Sequence, residues 1–113
     1  PQDIRNFFKS KNPSNHLEAA AIVAFYLRYI EEDVNKREAI NSEVMMDEFR
    51  KADWKLPKAA LQVLVDAKKA GYFDLAGAGN YRLNSVGYNL VKYALGSNSE
   101  ETTKKKRKLK KKK

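Results

Sequence analysis

The chain has 113 residues, of which 42% are hydrophobic and 11% aromatic; this suits one folded core, is too short for two, and excludes wholesale disorder. Its net charge of +9 is local: nine of the ten residues from Lys104 to Lys113 are Lys or Arg, so residues 1–103 hold 14 basic and 14 acidic side chains. The lack of cysteine excludes disulfides, thiolate zinc sites and a cysteine nucleophile, and His16 as the one histidine excludes a histidine-rich metal cluster.

In chain order, Ile4, Phe7 and Phe8 stand at one-turn spacing and predict a short helix with an apolar edge, an extension over residues 1–16. Pro13 punctuates the chain, Ser14 or Asn15 supplies an N-cap, and a helix follows from Leu17 to about Ile30. Its nonpolar run, Ala19 to Leu27, is nine residues, well short of the roughly 20 that span a membrane. With no basic-then-apolar leader in front of it, the expectation is an intracellular protein of the cytoplasm or nucleoid, or of the nucleus in a eukaryote. Leu17, Ala20, Ala21, Ala24 and Leu27 share one side of this helix, and Ile22, Phe25, Tyr26 and Tyr29 crowd the other. Such a helix needs a second cover, either Phe7 and Phe8 or another chain, as in a homodimer or a protein partner.

Ile40 then reads as a staple or a one-residue strand ahead of a helix whose face is Met45, Phe49 and Ala52. Trp54 reads as a lid on the core between the second and third helices. Pro57 suits the first turn of the third helix, which runs to about Ala70 with Ala60, Leu61, Leu64 and Val65 inside and Lys58, Gln62, Asp66 and Lys69 outside. Gly71 closes it. Tyr72–Leu75 and Tyr81–Leu83 alternate as the strands of a hairpin, with Phe73 and Leu75 facing the helices. Asn84 or Ser85 caps a last helix carrying Val86, Leu90, Val91, Ala94 and Leu95.

Three stretches together are specific: Ile40-Asn41-Ser42; Leu61-x-x-Leu64-x-x-Ala67-x-x-x-Gly71-Tyr72-Phe73; and Tyr81-x-Leu83-Asn84-x-x-Gly87. Their order resembles a winged helix-turn-helix domain, and the last is similar to the aromatic-x-Leu-Thr-x-x-Gly pattern of bacterial and archaeal members, with Asn84 where Thr is usual. The resemblance covers about Leu17 to Leu95. It implies a mainly α (α+β) winged helix over residues 17–96: a three-helix core, a two-stranded β-hairpin wing and a C-terminal helix. It also implies nucleic-acid contact, DNA ahead of RNA, through Lys55, Lys58, Ala59, Gln62, Asp66 and Lys69 of the third helix and its approach, and through Asn80 and Arg82 of the wing.

The charges lean the same way. Residues 50–72 carry six basic and two acidic side chains, and residues 31–48 carry two and seven. Lysines can neutralise phosphates, Gln62 can pair with an adenine edge and Asn80 can donate to a phosphate. Asp66 opposes this unless a lysine or a cytosine amino group takes it up, and without arginine on that face strong sequence specificity is not expected. Like charges along Lys104, Lys105, Lys106, Arg107, Lys108, Lys110 and Lys111 repel, so residues 97–113 are expected to be a disordered polycationic tail that binds polyanions without reading bases. The competing reading is a protein-interaction module whose tail alone meets polyanions. No nucleophile–base pair, phosphate loop, metal site or cofactor motif is found, so no enzyme activity is expected.

Overall fold

The computed structural model describes residues 3–32, 34 and 36–96. Short polar side chains start four of its helices. The Asp3 carboxylate accepts from the Asn6 amide at 2.9 Å and opens α1 (Ile4–Lys11). Asn15 accepts from the Glu18 amide at 2.9 Å and opens α2 (His16–Phe25), and the Glu18 carboxylate in turn accepts from the Ser14 amide and hydroxyl at 2.8 Å. This is the reciprocal logic of a capping box. Asn41 opens α3 (Ser42–Lys51) by accepting from Val44 at 2.8 Å, and Asn84 opens α5 (Ser85–Asn89) by accepting from Gly87 at 3.0 Å.

The third core helix, α4 (Ala60–Lys69), differs from expectation. It starts three residues beyond Pro57, which is buried ahead of it, and Ala59 provides no capping side chain. Ahead of Pro57, Trp54 folds back onto Phe49, its amide on the Phe49 carbonyl at 3.0 Å and the ring centroids 5.7 Å apart. The C-terminus ends as expected: the Gly71 and Tyr72 amides donate to the Lys68 and Ala67 carbonyls at 2.9 and 3.1 Å. Gly71 sits at φ +97°, a conformation that side-chain-bearing residues resist.

Two helices widen by one residue per turn at their ends. The α2 spiral continues as a π turn over Tyr26–Ile30, closed by the Glu31 amide on the Tyr26 carbonyl at 2.9 Å. The α5 spiral does the same over Leu90–Ala94, closed by the Leu95 amide on the Leu90 carbonyl at 2.8 Å.

Every residue from Ala19 to Leu27 is buried, which makes α2 the centre of the molecule. It packs against α1, α3, α4, β2, α5 and the second π turn. The cover that its second face demanded comes from the same chain: Phe7 stacks on Phe25 at 5.8 Å and leans on Tyr26 at 5.7 Å. The faces that raised the prospect of a homodimer through this helix are thereby covered, and of its large side chains Tyr29 stays exposed, at 43%. On the other flank Phe49 of α3 is fully buried and meets Phe8 edge-on at 6.0 Å. Trp54 caps this cluster as a lid, over α1 and the start of α2 as well as α3: its ring lies 5.9 Å from Phe8 and 5.2 Å from His16.

The sheet is a two-stranded antiparallel hairpin, β1 (Phe73–Leu75) with β2 (Tyr81–Leu83), paired Phe73 to Leu83, Asp74 to Arg82 and Leu75 to Tyr81. Ile40 adds a single antiparallel bridge, exchanging hydrogen bonds with Tyr81 at 2.9 and 2.8 Å. Phe73, Tyr81 and Leu83 face the helices, whereas Leu75, expected beside them, is 56% exposed because it lies at the outer end of a strand only three residues long. Gly87 explains the glycine of the third sequence stretch. A Cβ there would stand 2.5 Å from the Tyr72 carbonyl oxygen and strike the Leu83 side chain, so α5 can lie against the hairpin only with glycine at that turn. The molecule is therefore mainly helical with a small antiparallel sheet, an α+β architecture.

Candidate nucleic-acid interface

The outward side of α4 is set by what its inward side buries. Val63, Leu64 and Ala67 point into the core, which turns Leu61 out to 53% exposure and leaves Val65 half-buried. This corrects the sequence expectation that put Leu61 inside, while Val65 packs against the core from its edge. The five apolar residues among Ala60–Val65 fit more than one rotation of the helix, and docking on α2 selects the one that buries Val63. Lys58, Gln62 and Lys69 are exposed, as expected, with Lys68 beside them. The face thus has an apolar centre and a cationic border.

Two of the expected polar contacts are already engaged inside the chain. The Gln62 amide donates to the Asp66 carboxylate at 2.8 Å, so the side chain expected to pair with an adenine edge and the carboxylate expected to oppose phosphate occupy each other. Asn80 is half-buried and its amide donates to the Ala78 carbonyl at 3.3 Å, which holds the hairpin loop together. Arg82 is exposed on the outer face of the hairpin, directly across from Asp74, whose carboxylate accepts from the Asn84 amide at 3.3 Å. Lys55 lies with its ammonium 5.7 Å over the Trp54 ring, attached to the lid rather than to α4. The structure therefore brings Lys58, Gln62 and Lys69 onto the outward side of α4 and its approach. Ala59 is exposed at the start of that helix. Lys104, Lys105, Lys106, Arg107, Lys108, Lys110 and Lys111 lie outside the described residues, as does the expectation of disorder over 97–113. The described chain ends at Gly96, seated against the Ser10 carbonyl of α1.

A second group of aromatic and cationic side chains stands at the two π turns. Tyr29 and Tyr88 meet edge-on at 5.0 Å, and Phe25 backs both rings at 5.1 and 5.2 Å. The Arg28 guanidinium lies 5.3 Å over Tyr29 and donates to the Leu83 carbonyl at 3.4 Å. The Lys92 ammonium lies 5.5 Å over Tyr88 and 5.6 Å over Tyr93, and donates to the Tyr88 hydroxyl at 3.1 Å. That hydrogen bond, with the tyrosines' electrostatics, lifts the Lys92 ammonium above the usual lysine value, so it stays charged at any physiological pH.

Comparison with family models, with curated proteins and with solved structures finds no match. Among the described residues no helix is long and apolar enough to cross a membrane, and no three His, Asp or Glu side chains are placed to hold a metal ion.

Sequence reasoning passed over the second group because its members are 60 residues apart and look like helix surface and helix core. A signal was present nonetheless: Leu27-Arg28-Tyr29-Ile30 and Val91-Lys92-Tyr93-Ala94 repeat one order, apolar, basic, Tyr, apolar. What no pattern of one period could supply is that both copies fall on π turns, which rotate the adjoining cation and ring outward by one extra residue.

Proposed function

We propose that this chain is a winged-helix protein that binds nucleic acid, DNA in preference to RNA, with low sequence specificity. In this reading α2, α3 and α4 form the three-helix core, Ile40 is the short first strand, the β1–β2 hairpin is the wing and α5 the closing helix. The observation that carries the functional part is the exposure of Lys58 and Lys69 on the outward side of α4 and its approach. Each such lysine neutralises a phosphate and releases a counterion, contributing a slope of about 0.9 to the dependence of log affinity on log salt. Low specificity follows from the absence of arginine on that side and from the Gln62–Asp66 pair, which leaves little to read a base edge. The basic run Lys104–Lys113 adds affinity that is blind to sequence. No catalytic activity is proposed.

The test is duplex binding by the full chain carrying Lys58→Glu and Lys69→Glu together. Affinity is expected to fall about tenfold or more at low salt, with the salt slope reduced by about 2. Unchanged affinity in that variant, combined with loss of binding when the Lys104–Lys113 lysines are changed to Gln, would assign duplex contact to the basic run alone. A second reading has its own observation, the 44% and 53% exposure of Leu56 and Leu61 around α4, which suits a protein partner. In that case Leu61→Ser abolishes partner binding and leaves DNA affinity alone.

A further inference from the structure

We propose that Tyr29, Tyr88 and Tyr93, with Arg28 and Lys92, form a second binding site whose occupant is single-stranded DNA. The proposal does not depend on α4 or on the hairpin's role as a wing. It rests on the chemistry of the two π turns, which place ring faces and cations on one surface from residues distant in sequence.

Tyr29 and Tyr93 are 43% and 63% exposed, large aromatic surface that the core does not use. Tyr88 is half-buried, its ring supporting Tyr29 edge-on and its hydroxyl holding Lys92, which in turn lies over Tyr93. A concavity of about 460 Å³ opens beside Tyr29 and Tyr88, bordered also by Arg28, Leu83, Asn84 and Ser85; Lys92 and Tyr93 stand outside it, joined to it through the Tyr88 hydroxyl and ring. Exposed ring surface suits a ligand with flat rings, and the Arg28 and Lys92 charges seated on those rings suit an anion, with the Asp74 carboxylate held back by Asn84 at 3.3 Å. A strand of unpaired nucleotides has both in alternation, its bases able to stack on tyrosine and its phosphates able to meet Arg28 and Lys92. A duplex does not fit, because its base faces are already stacked on one another.

Two of the polar groups of the concavity are committed inside the fold: Asn84 accepts from the Gly87 amide and donates to Asp74, and Arg28 spends one donor on the Leu83 carbonyl. Ring face and charge hold a strand without calling for a ribose hydroxyl, so DNA is taken as the occupant and RNA as an outcome of the test.

The probe is a fluorescent oligothymidylate of about 12 nucleotides, a length within the range that such stacking grooves hold. Anisotropy is measured with the full chain at about 0.3 M salt, where screening suppresses the contribution of the Lys104–Lys113 run. Tyr29→Ala and Tyr93→Ala are each expected to weaken binding about tenfold, while Tyr93→Phe and Tyr29→Phe keep it. Tyr93 is the decisive position because its exposure makes Tyr93→Ala harmless to folding, which circular dichroism checks. Lys58→Glu with Lys69→Glu is expected to leave oligothymidylate binding unchanged, so failure of the α4 reading and failure of this one are separable. Parent-like binding by Tyr93→Ala would overturn the proposal, as would equal weakening of duplex and single-stranded DNA by the tyrosine variants. Tighter binding of oligouridylate than of oligothymidylate would overturn the assignment to DNA.

Discussion

Burial and the neighbouring carboxylates act on Tyr26 in the same direction. Desolvation is the larger cause and Glu31, Asp3, Glu48 and Glu32 add to it, so the phenol holds its proton above the usual tyrosine value of 10.0. In the unfolded chain it ionises near that ordinary value. Below it the two states bind the same number of protons and stability is fully present; as pH rises beyond it the unfolded state loses its proton first, and stability falls until the folded phenol titrates too. An absorbance titration of the six tyrosines should therefore show one ionising late in the folded protein. Tyr26→Phe should remove that late component together with part of the alkaline loss of stability. Gly87 gives a steric counterpart: Gly87→Ala pushes a methyl group against the Tyr72 carbonyl and Leu83, and should lower stability by about 1–3 kcal/mol in urea denaturation. The need for glycine there was legible as a pattern, Leu-Asn-x-x-Gly, but its reason appears only once α5 and the residue before β1 are seen to touch.

At the scale of elements, what could be read in the sequence was what local chemistry decides. Asn15 and Asn84, each one of two neighbouring cap candidates, cap the helices they precede, because a short polar side chain ahead of an apolar run has few better uses. Gly71 ends α4 for a similarly local reason, whereas the one-residue strand at Ile40 takes its partner, Tyr81, from far along the chain. What could not be read was rotation. α4 is apolar at Ala60, Leu61, Val63, Leu64 and Val65, and the choice among its faces belongs to α2, a partner 40 residues away. Both π turns were hidden for the same reason. α3 was the easier case, its apolar face being narrow, and Phe49 at its centre joins α1, α3 and the Trp54 lid. Phe49→Ala should cost about 3–5 kcal/mol, read as a lower urea midpoint. It should also raise the accessibility of Trp54 to an aqueous quencher.

For the whole molecule, the division of charge sets how any polyanion is met. A body of balanced charge attached to nine cations in ten residues makes salt dependence a direct count of phosphates. If about five are engaged by the basic run and two by Lys58 and Lys69, log affinity for duplex DNA should fall with log salt at a slope near −6. Replacing those lysines by Gln should flatten the slope to what α4 alone supplies, about −2 if Lys58 and Lys69 are its contacts. The candidate site was legible in Lys58 and Lys69, whose exposure follows from charge, and not in Asn80 or Gln62, whose partners are chosen by the loop and by the helix.

The seating of Phe7 and Phe8 on the middle of the molecule carries a consequence for assembly. Any second protein that sought the Phe25–Tyr26 side of α2 would first have to prise Phe7 from it. Asn12, at φ +50° with its amide on the Phe8 carbonyl at 2.8 Å, ends α1 just ahead of Pro13 and so fixes where the two rings sit. The first helix thereby acts as a built-in occupant of a flank that would otherwise stand open to a neighbour.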